Sequence, residues 1–574
     1  MLRSGAQSAI HVMVLSALGV GVGGVGCAAS QANQAPADAA VGSDTGMPIA
    51  SDGGAPGLDA TMGGSADGGK DSGIPIGNWP LDAGTADGPF DWVGIIGTGQ
   101  SLGAGCQSTA LSTTQPFKNL KLIDQGPDPK YPIDGSTAAQ WSAIPLVEPM
   151  RIQVSGYDPN DGQYPDNICL SNGVYGETPH SGFANTLSAL WAARGRGDYV
   201  TAHTDVARPS ACLNHIDKPD SLAGGRTYAA GLSEARVFKA LAAKAGRSYG
   251  VAGILLTHGE CDSQNPPYNP MYEQELYQLW SDYNTDLKAI TGQTRDVVLF
   301  ASQQSSIPAG LDGPNVQVWR AGNDHPGQIV CTGPKYAYGD YGVHMPAASY
   351  ERMGEKYAEV FDYVVNRGAP WKPVGPNNVT RSGDVITITF DVPNPPLVWD
   401  THLAPQHQTV HSAWASGKGF EVIDSASNEI TIASAAIQGS SVLLTLTSAP
   451  AAGTALTVSY ALTPDDTGWN GGYANGMHGL LRDSDNFAGY ANETLSVMAT
   501  NGSTVVTVPA DAALRRANLD IVTGTGIPDD TVISTVGATQ ITLSAPYTGA
   551  TGNAKLTFHH NHYNYAVHFS MAVP

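Results

Sequence analysis

Ser101 lies in the segment Gly97-Thr98-Gly99-Gln100-Ser101-Leu102-Gly103, whose glycines let a ligand approach the backbone and leave amide N–H groups free. A serine hydroxyl becomes a useful nucleophile only when a neighbouring base takes its proton, and neutral histidine is the usual base. The segment Gly339-Asp340-Tyr341-Gly342-Val343-His344-Met345 offers that imidazole in His344, with a carboxylate at Asp340 to fix its tautomer. Thr257-His258-Gly259-Glu260-Cys261-Asp262 is a third polar cluster, suited to orienting a substrate. A dinucleotide loop would need GxGxxG, and the third glycine here, Gly103, falls one residue late.

These three segments need a frame that brings them together. Phe90 to Ile96 is a short apolar, β-branched run ending in glycines, which reads as a buried strand entering a tight turn. Strand-like runs follow at Tyr199 to His203, Val251 to Thr257 and Val297 to Ser302. Between and after them, Ser181 to Ala193, Ala229 to Ala245, Tyr272 to Ile290 and Ala347 to Val365 carry helical periodicity. Strands alternating with helices predict an α/β domain with a parallel sheet covered on both faces. In such sheets ligands bind beyond the C-terminal ends of the strands, and each of the three polar segments falls on a loop there.

Taken together, the segments resemble the SGNH-hydrolase superfamily, and within it the sialate O-acetylesterase-like carbohydrate esterase branch. Gly99-Gln100-Ser101 matches the branch's Gly-Gln-Ser nucleophile motif, and His258-Gly259-Glu260-Cys261-Asp262 its Gln-Gly-Glu-Ser-Asp. Asp340, His344 and the helix start Tyr350-Glu351-Arg352-Met353-Gly354-Glu355 match its closing motif. Glu177-Thr178-Pro179 and Ile290-Thr291-Gly292-Gln293 also resemble this branch, and the likeness spans about Phe90 to Asn366. The resemblance implies a flavodoxin-like three-layer α/β fold and carboxylic-ester hydrolysis, commonly deacetylation of sugars. It implies Ser101 as nucleophile, His344 as base and Asp340 as acid, with Gln100, His258, Gly259 and Glu260 around the oxyanion and substrate. The sequence departs from the family pattern at three places. His258 stands where the family has glutamine, and Asp340 is four residues before His344 rather than the commoner three. The glycine that would donate a second oxyanion amide is replaced in Ala207-Arg208-Pro209-Ser210-Ala211, with glycines only at Gly224 and Gly225. An amide from Ser210 or Ala211 could serve. Neither a metal nor an organic cofactor is expected.

The rest of the chain sets the context. Its 574 residues exceed the needs of one core, so two or three folded units are expected. With 51 acidic against 29 basic side chains the formal charge is -22, which repels phosphate backbones and argues against nucleic acid as a partner. Arg3 followed by the apolar stretch Ala9 to Val25 reads as an export signal. Gly26-Cys27-Ala28 resembles a bacterial lipobox, with Gly24 in place of the usual leucine, so Cys27 is the expected lipidation site. The expected location is secreted or anchored at the outer surface of a bacterial cell, touching membrane only through that lipid. From 28 to 77 the chain has too little apolar surface to order itself, and a coil of that length reaches roughly 40 Å. If Cys27 is lipidated, five cysteines remain, allowing at most two disulfides.

The expected domains are therefore 1–27 signal, 28–77 tether, 78–368 hydrolase, 369–493 plus 559–574 an antiparallel β-sandwich, and 494–558 a small β insertion. Alternating runs at Asp384 to Phe390, Val442 to Leu446 and Ala455 to Tyr460 mark the sandwich, and Tyr563 to Phe569 is read as its final strand. His560, His562 and His568 would share one strand face, but no carboxylate or cysteine is near them in sequence, so no metal site is expected. The expected function is hydrolysis of acyl, chiefly acetyl, esters of carbohydrate through a serine acyl-enzyme. A polyester or lipid esterase with the same chemistry, and an inactive glycan-binding surface lipoprotein, stand as alternatives.

Overall fold

The computed structural model describes residues 88–124, 141–150, 176–219, 226–264, 268–338, 343–403, 416–464, 477–485, 487, 493–514 and 516–574. Cys27 and Asp340 lie outside the described residues. No described helix is long and apolar enough to cross a membrane.

The central sheet has seven strands: β1 (Trp92–Gly99), β2 (Leu120–Asp124), β3 (Trp141–Pro145), β4 (Thr201–Asp205), β5 (Tyr249–Thr257), β6 (Val298–Gln303) and β7 (Ile329–Pro334). Their order is β3-β2-β4-β1-β5-β6-β7. All neighbours run parallel except β3, which pairs antiparallel with β2 at one edge. The five strands from β4 to β7 in that order, renumbered among themselves, read 2-1-3-4-5, the flavodoxin-like winding that reverses beside β1. Ser101 follows β1, at that switch point.

Helices cover both faces: α1 (Pro179–Ala193), α2 (Arg226–Lys244), α3 (Glu260–Ser263), α4 (Tyr272–Thr291), α5 (Pro314–Asp324) and α6 (Ala347–Phe361). Adjacent residues of β1 point to opposite layers. Ile96 packs with Phe238 of α2 and Tyr283 of α4, whereas Ile95 packs with Phe183 of α1 and Tyr357 of α6. A strand buried on both sides has no polar face, and the burial of all nine residues of β5 explains why it reads as a continuous apolar run. Helices α1 and α6 cross closely, because a Cβ on Gly182 would strike the Glu351 carbonyl and one on Gly354 the Pro179 carbonyl.

Beyond α6 the chain is antiparallel β. One sheet has four strands, Gly375–Ser382, Val385–Asp391, Ile432–Gln438 and Ser441–Leu446; another has three, Phe420–Asp424, Leu456–Tyr460 and Phe569–Val573. They share apolar contacts through Phe390, Phe420 and Phe569. A six-stranded sheet drawn wholly from Glu493–His559 has its own core around Val506, Ile541 and Phe558. The last strand is Phe569–Val573, not the Tyr563 to Phe569 run. That run is mostly non-strand, and Tyr565 makes one bridge to Arg482.

His560, His562 and His568 do not share a strand face. His559 ends a strand, and His560 and His562 lie in the loop beyond it. Their carboxylate comes from α6: Glu355 Oε2 accepts from His560 Nδ1 at 3.1 Å and His562 Nε2 at 2.7 Å. These are hydrogen-bond lengths. Burial alone would lower His560 and raise Glu355. Instead Asp520 and Glu355 lift the imidazole to about 9, and His560 holds the Glu355 carboxyl well below its usual range. The cluster is thus a buried ion pair that bolts α6, and so the His344 loop before it, to the C-terminal return. His568 sits apart, bonding Ser305 and the Ala461 carbonyl.

Candidate active site

The turn after β1 is wound tightly around Ser101. Gly103 N and Ala104 N both donate to the Gln100 carbonyl, at 2.8 and 3.3 Å, and Cys106 N donates to the Ser101 carbonyl at 3.1 Å. Gly99 has φ +132, and a Cβ there would collide with the Thr257 carbonyl, so only glycine lets β1 and β5 close at this level. Gln100 is buried and faces inward, where its Oε1 accepts from Cys261 N at 3.3 Å. It braces the turn against the 258–262 segment. The Ser101 side chain is left half-buried, and its amide N–H carries no hydrogen bond among the described residues.

His344 arrives from the loop ahead of α6. Its Nε2 lies 2.8 Å from Ser101 Oγ, across 243 residues of sequence. Its Nδ1 lies 2.8 Å from Oε1 of Gln107. An amide oxygen only accepts, so Nδ1 carries the proton and Nε2 is left as the lone-pair acceptor for the serine hydroxyl. That is the tautomer a general base needs. Burial disfavours the imidazolium and pulls the His344 pKa below the usual 6.5; Glu260 opposes this and Lys335 adds to it. The base is therefore neutral at physiological pH. If its proton acceptance limits turnover, kcat/KM against pH should rise along an acid limb whose midpoint lies below 6.5. A midpoint above 7 in a pH-rate series would contradict this.

The residues of the 258–262 segment make contacts of their own. His258 does not point at an oxyanion. Its Nε2 donates to the Ala211 carbonyl at 2.9 Å, and its Nδ1 accepts from the Tyr272 hydroxyl at 2.8 Å. Both ring nitrogens are committed, and burial keeps the ring neutral. Asp262 receives Leu213 N at 3.0 Å, and Cys261 is disulfide-bonded to Cys212. Three residues of the 258–262 segment thus grip Ala211, Cys212 and Leu213 in turn. The loop after β4, which carries the candidate amides for a second oxyanion contact, is held by that grip. Of the two candidates there, the Ala211 amide is spent on the Arg208 carbonyl at 3.2 Å, while the exposed Ser210 amide has no partner among the described residues. Ser210 adopts φ +60, a conformation that usually calls for glycine.

Gly259 has φ +122 and turns the chain into α3, which starts with Glu260. Glu260 is fully buried and forms an ion pair with Lys335 at the end of β7. Both groups act electrostatically on His344. Cys106 is also disulfide-bonded, and Cys331 is a buried free thiol. Replacing Cys212 and Cys261 together by serine should cost ~2–4 kcal/mol, since their bridge closes a 49-residue span. It should also slow turnover by loosening the Ser210 loop. Thermal melts and steady-state kinetics of the double variant check both, and an unchanged kcat would separate the loop from catalysis.

Gln107, Lys335 and Tyr272 were not singled out from the sequence. Each acts through a partner distant in sequence, and only the Cys212–Cys261 pair left a legible trace, as two cysteines of unassigned pairing.

No family model matches the chain, and no curated protein matches it. Among solved structures it is similar to a carbohydrate acetylesterase from Xanthomonas citri, with 12% identity and TM-score 0.41 over 67% of this chain and 77% of that one. It is similar to a protein from Arabidopsis thaliana, with 13% identity and TM-score 0.33 over 48% of this chain and 98% of that one. For NanS the identity is 13% and the TM-score 0.30, over 47% of this chain and 97% of that one. The chain is thus structurally similar to carbohydrate acetylesterases and to NanS, at low identity.

Proposed function

We propose that this chain is a carboxylic-ester hydrolase that removes acyl groups, chiefly acetyl, from carbohydrate through a Ser101 acyl-enzyme. The observation that carries the reading is the 2.8 Å contact between Ser101 Oγ and a His344 nitrogen left free of its proton by Gln107. His344 Nε2 takes the hydroxyl proton as Oγ attacks the ester carbonyl. Amides of Ser101 and Ser210 receive the negative charge that builds on the carbonyl oxygen. The imidazolium then gives its proton to the departing sugar oxygen, which leaves as a hydroxyl, and the acyl group stays on Ser101. Water, deprotonated by the same nitrogen, attacks that ester, and the imidazolium returns the proton to Ser101 Oγ as the acid is released. Gln100, His258, Gly259 and Glu260 hold the walls of this site rather than touching the reacting atoms. No step calls for a metal or an organic cofactor.

The choice of acetylated carbohydrate rests on the sequence motifs around Ser101, Glu260 and His344. We further read 1–27 as an export signal with Cys27 lipidated, 28–77 as a tether and 78–368 as the hydrolase unit. On this reading 369–493 with 559–574 is a two-layer sandwich carrying 494–558 as an insertion. The test is a substrate panel: acetylated xylan, acetylated mannan, O-acetylated sialic acid, and p-nitrophenyl acetate, butyrate and octanoate. The proposal expects acetate release from at least one glycan and preference for the shortest acyl chain. Preference for octanoate would favour a lipid or polyester esterase, and no acid released from any substrate would overturn hydrolysis altogether.

A further inference from the structure

We propose that Gln107 is the residue that positions His344, holding the imidazole by an amide oxygen at the place where hydrolases of this kind use a carboxylate. The inference rests on the Ser101–His344 reading above and adds a residue to it. Gln107 Oε1 meets His344 Nδ1 at 2.8 Å, the same distance at which Nε2 meets Ser101. The ring is held at both ends.

The backbone at Gln107 supports the assignment. Its φ is +62, in the left-handed region that non-glycine residues seldom occupy, at a cost on the order of 1 kcal/mol or more. A glycine would adopt this φ without that cost. The turn is fixed on both sides: Cys106 is disulfide-bonded and its amide bonds the Ser101 carbonyl, while Ser108 Oγ donates to Gly105 and Glu177 carbonyls at 3.1 and 3.0 Å. Tyr350 of α6 donates to the Cys106 carbonyl at 3.4 Å, tying the turn to the helix that follows His344. Nucleophile and positioning residue therefore ride on one braced turn, six residues apart.

An amide and a carboxylate differ in one respect that can be measured. Either fixes the tautomer, but only the carboxylate carries a charge that stabilises the imidazolium. Among the described residues, the charged groups acting on His344 are Glu260 and Lys335, and both remain in the variants below.

Two substitutions test the proposal beside a Ser101→Ala control. Gln107→Gly relieves the left-handed backbone, so it should melt no lower than the wild type, yet its kcat should fall about 10- to 100-fold with KM within about twofold. Gln107→Glu should keep activity and move the acid limb of the pH profile up by about one unit, since the new carboxylate favours the imidazolium. A residue that merely shapes the turn would give neither the kcat loss in a stable protein nor the pH shift. The proposal is overturned if Gln107→Gly turns over at the wild-type rate, or if Gln107→Glu leaves the acid limb in place. It is also overturned if Asp340→Asn alone gives the kcat loss. Should Gln107→Gly fail to fold, the Gln107→Glu profile decides. If Ser101→Ala retains activity, the hydrolase reading itself has failed, a result distinct from either Gln107 outcome.

Discussion

A His344→Ala variant is expected to fold normally and to lose about 10⁴-fold in kcat/KM on an activated acetate ester. That loss corresponds to roughly 5.5 kcal/mol of transition-state stabilisation. The fold should survive because His344 is half-buried on a loop, and the stability of α6 rests on other contacts, among them the buried Glu355–His560 ion pair and the hydrogen bond from His562. Catalysis should not survive, because the 2.8 Å contact to Ser101 Oγ is the hydroxyl's route to a base. The residual rate should come from binding and oxyanion amides, which do not need the imidazole. Steady-state kinetics beside a thermal melt read both halves, and a loss under tenfold in a folded variant would show that another group deprotonates the nucleophile.

Lys335→Met is expected to produce the largest loss of stability among single substitutions near the site, about 3–5 kcal/mol. Lys335 pairs with Glu260, and both side chains are almost fully buried. Removing the cation leaves the Glu260 carboxylate without that partner in a place that water cannot reach, and its Oε2 already has no hydrogen bond among the described residues. Breaking a buried pair from one side carries that full penalty, whereas replacing both partners does not. The double variant Glu260→Gln/Lys335→Met should therefore melt above Lys335→Met alone. Chemical denaturation of the three proteins gives the comparison. A Lys335→Met variant as stable as the wild type would mean that the pair contributes no net stability.

The parts of the fold that were legible in the sequence are those whose burial is one-dimensional. Strands β1, β5 and β6 are enclosed on both faces, so their apolar runs announce them, and α4 shows its period because one stripe alone is buried. Its end is also marked, by Gly292 at φ +77. The edge pair β2 and β3 is hard to read because Lys121 interrupts it; that lysine is buried with its ammonium donating to the Val147 and Pro149 carbonyls. Helix α5 escaped because it is short and opens on Pro314, which reads as a turn until the helix is seen to start there.

The site divides in the same way. Ser101 and His344 were readable because their chemistry is carried by residue type and by position after a strand. His258 was misread for the opposite reason: its role is set by Tyr272 and Ala211, neither of which lies beside it in sequence. Gln107 had no signature at all, since a glutamine becomes a histidine's anchor only through the turn that aims it.

The most direct test of the account is active-site labelling with a fluorophosphonate, followed by peptide mapping of the modified residue. Ser101 should carry a single stoichiometric adduct in the wild type, with labelling slowed in His344→Ala and absent in Ser101→Ala, which should also be inactive. An adduct on any other residue, or ester hydrolysis undiminished in Ser101→Ala, would contradict the account.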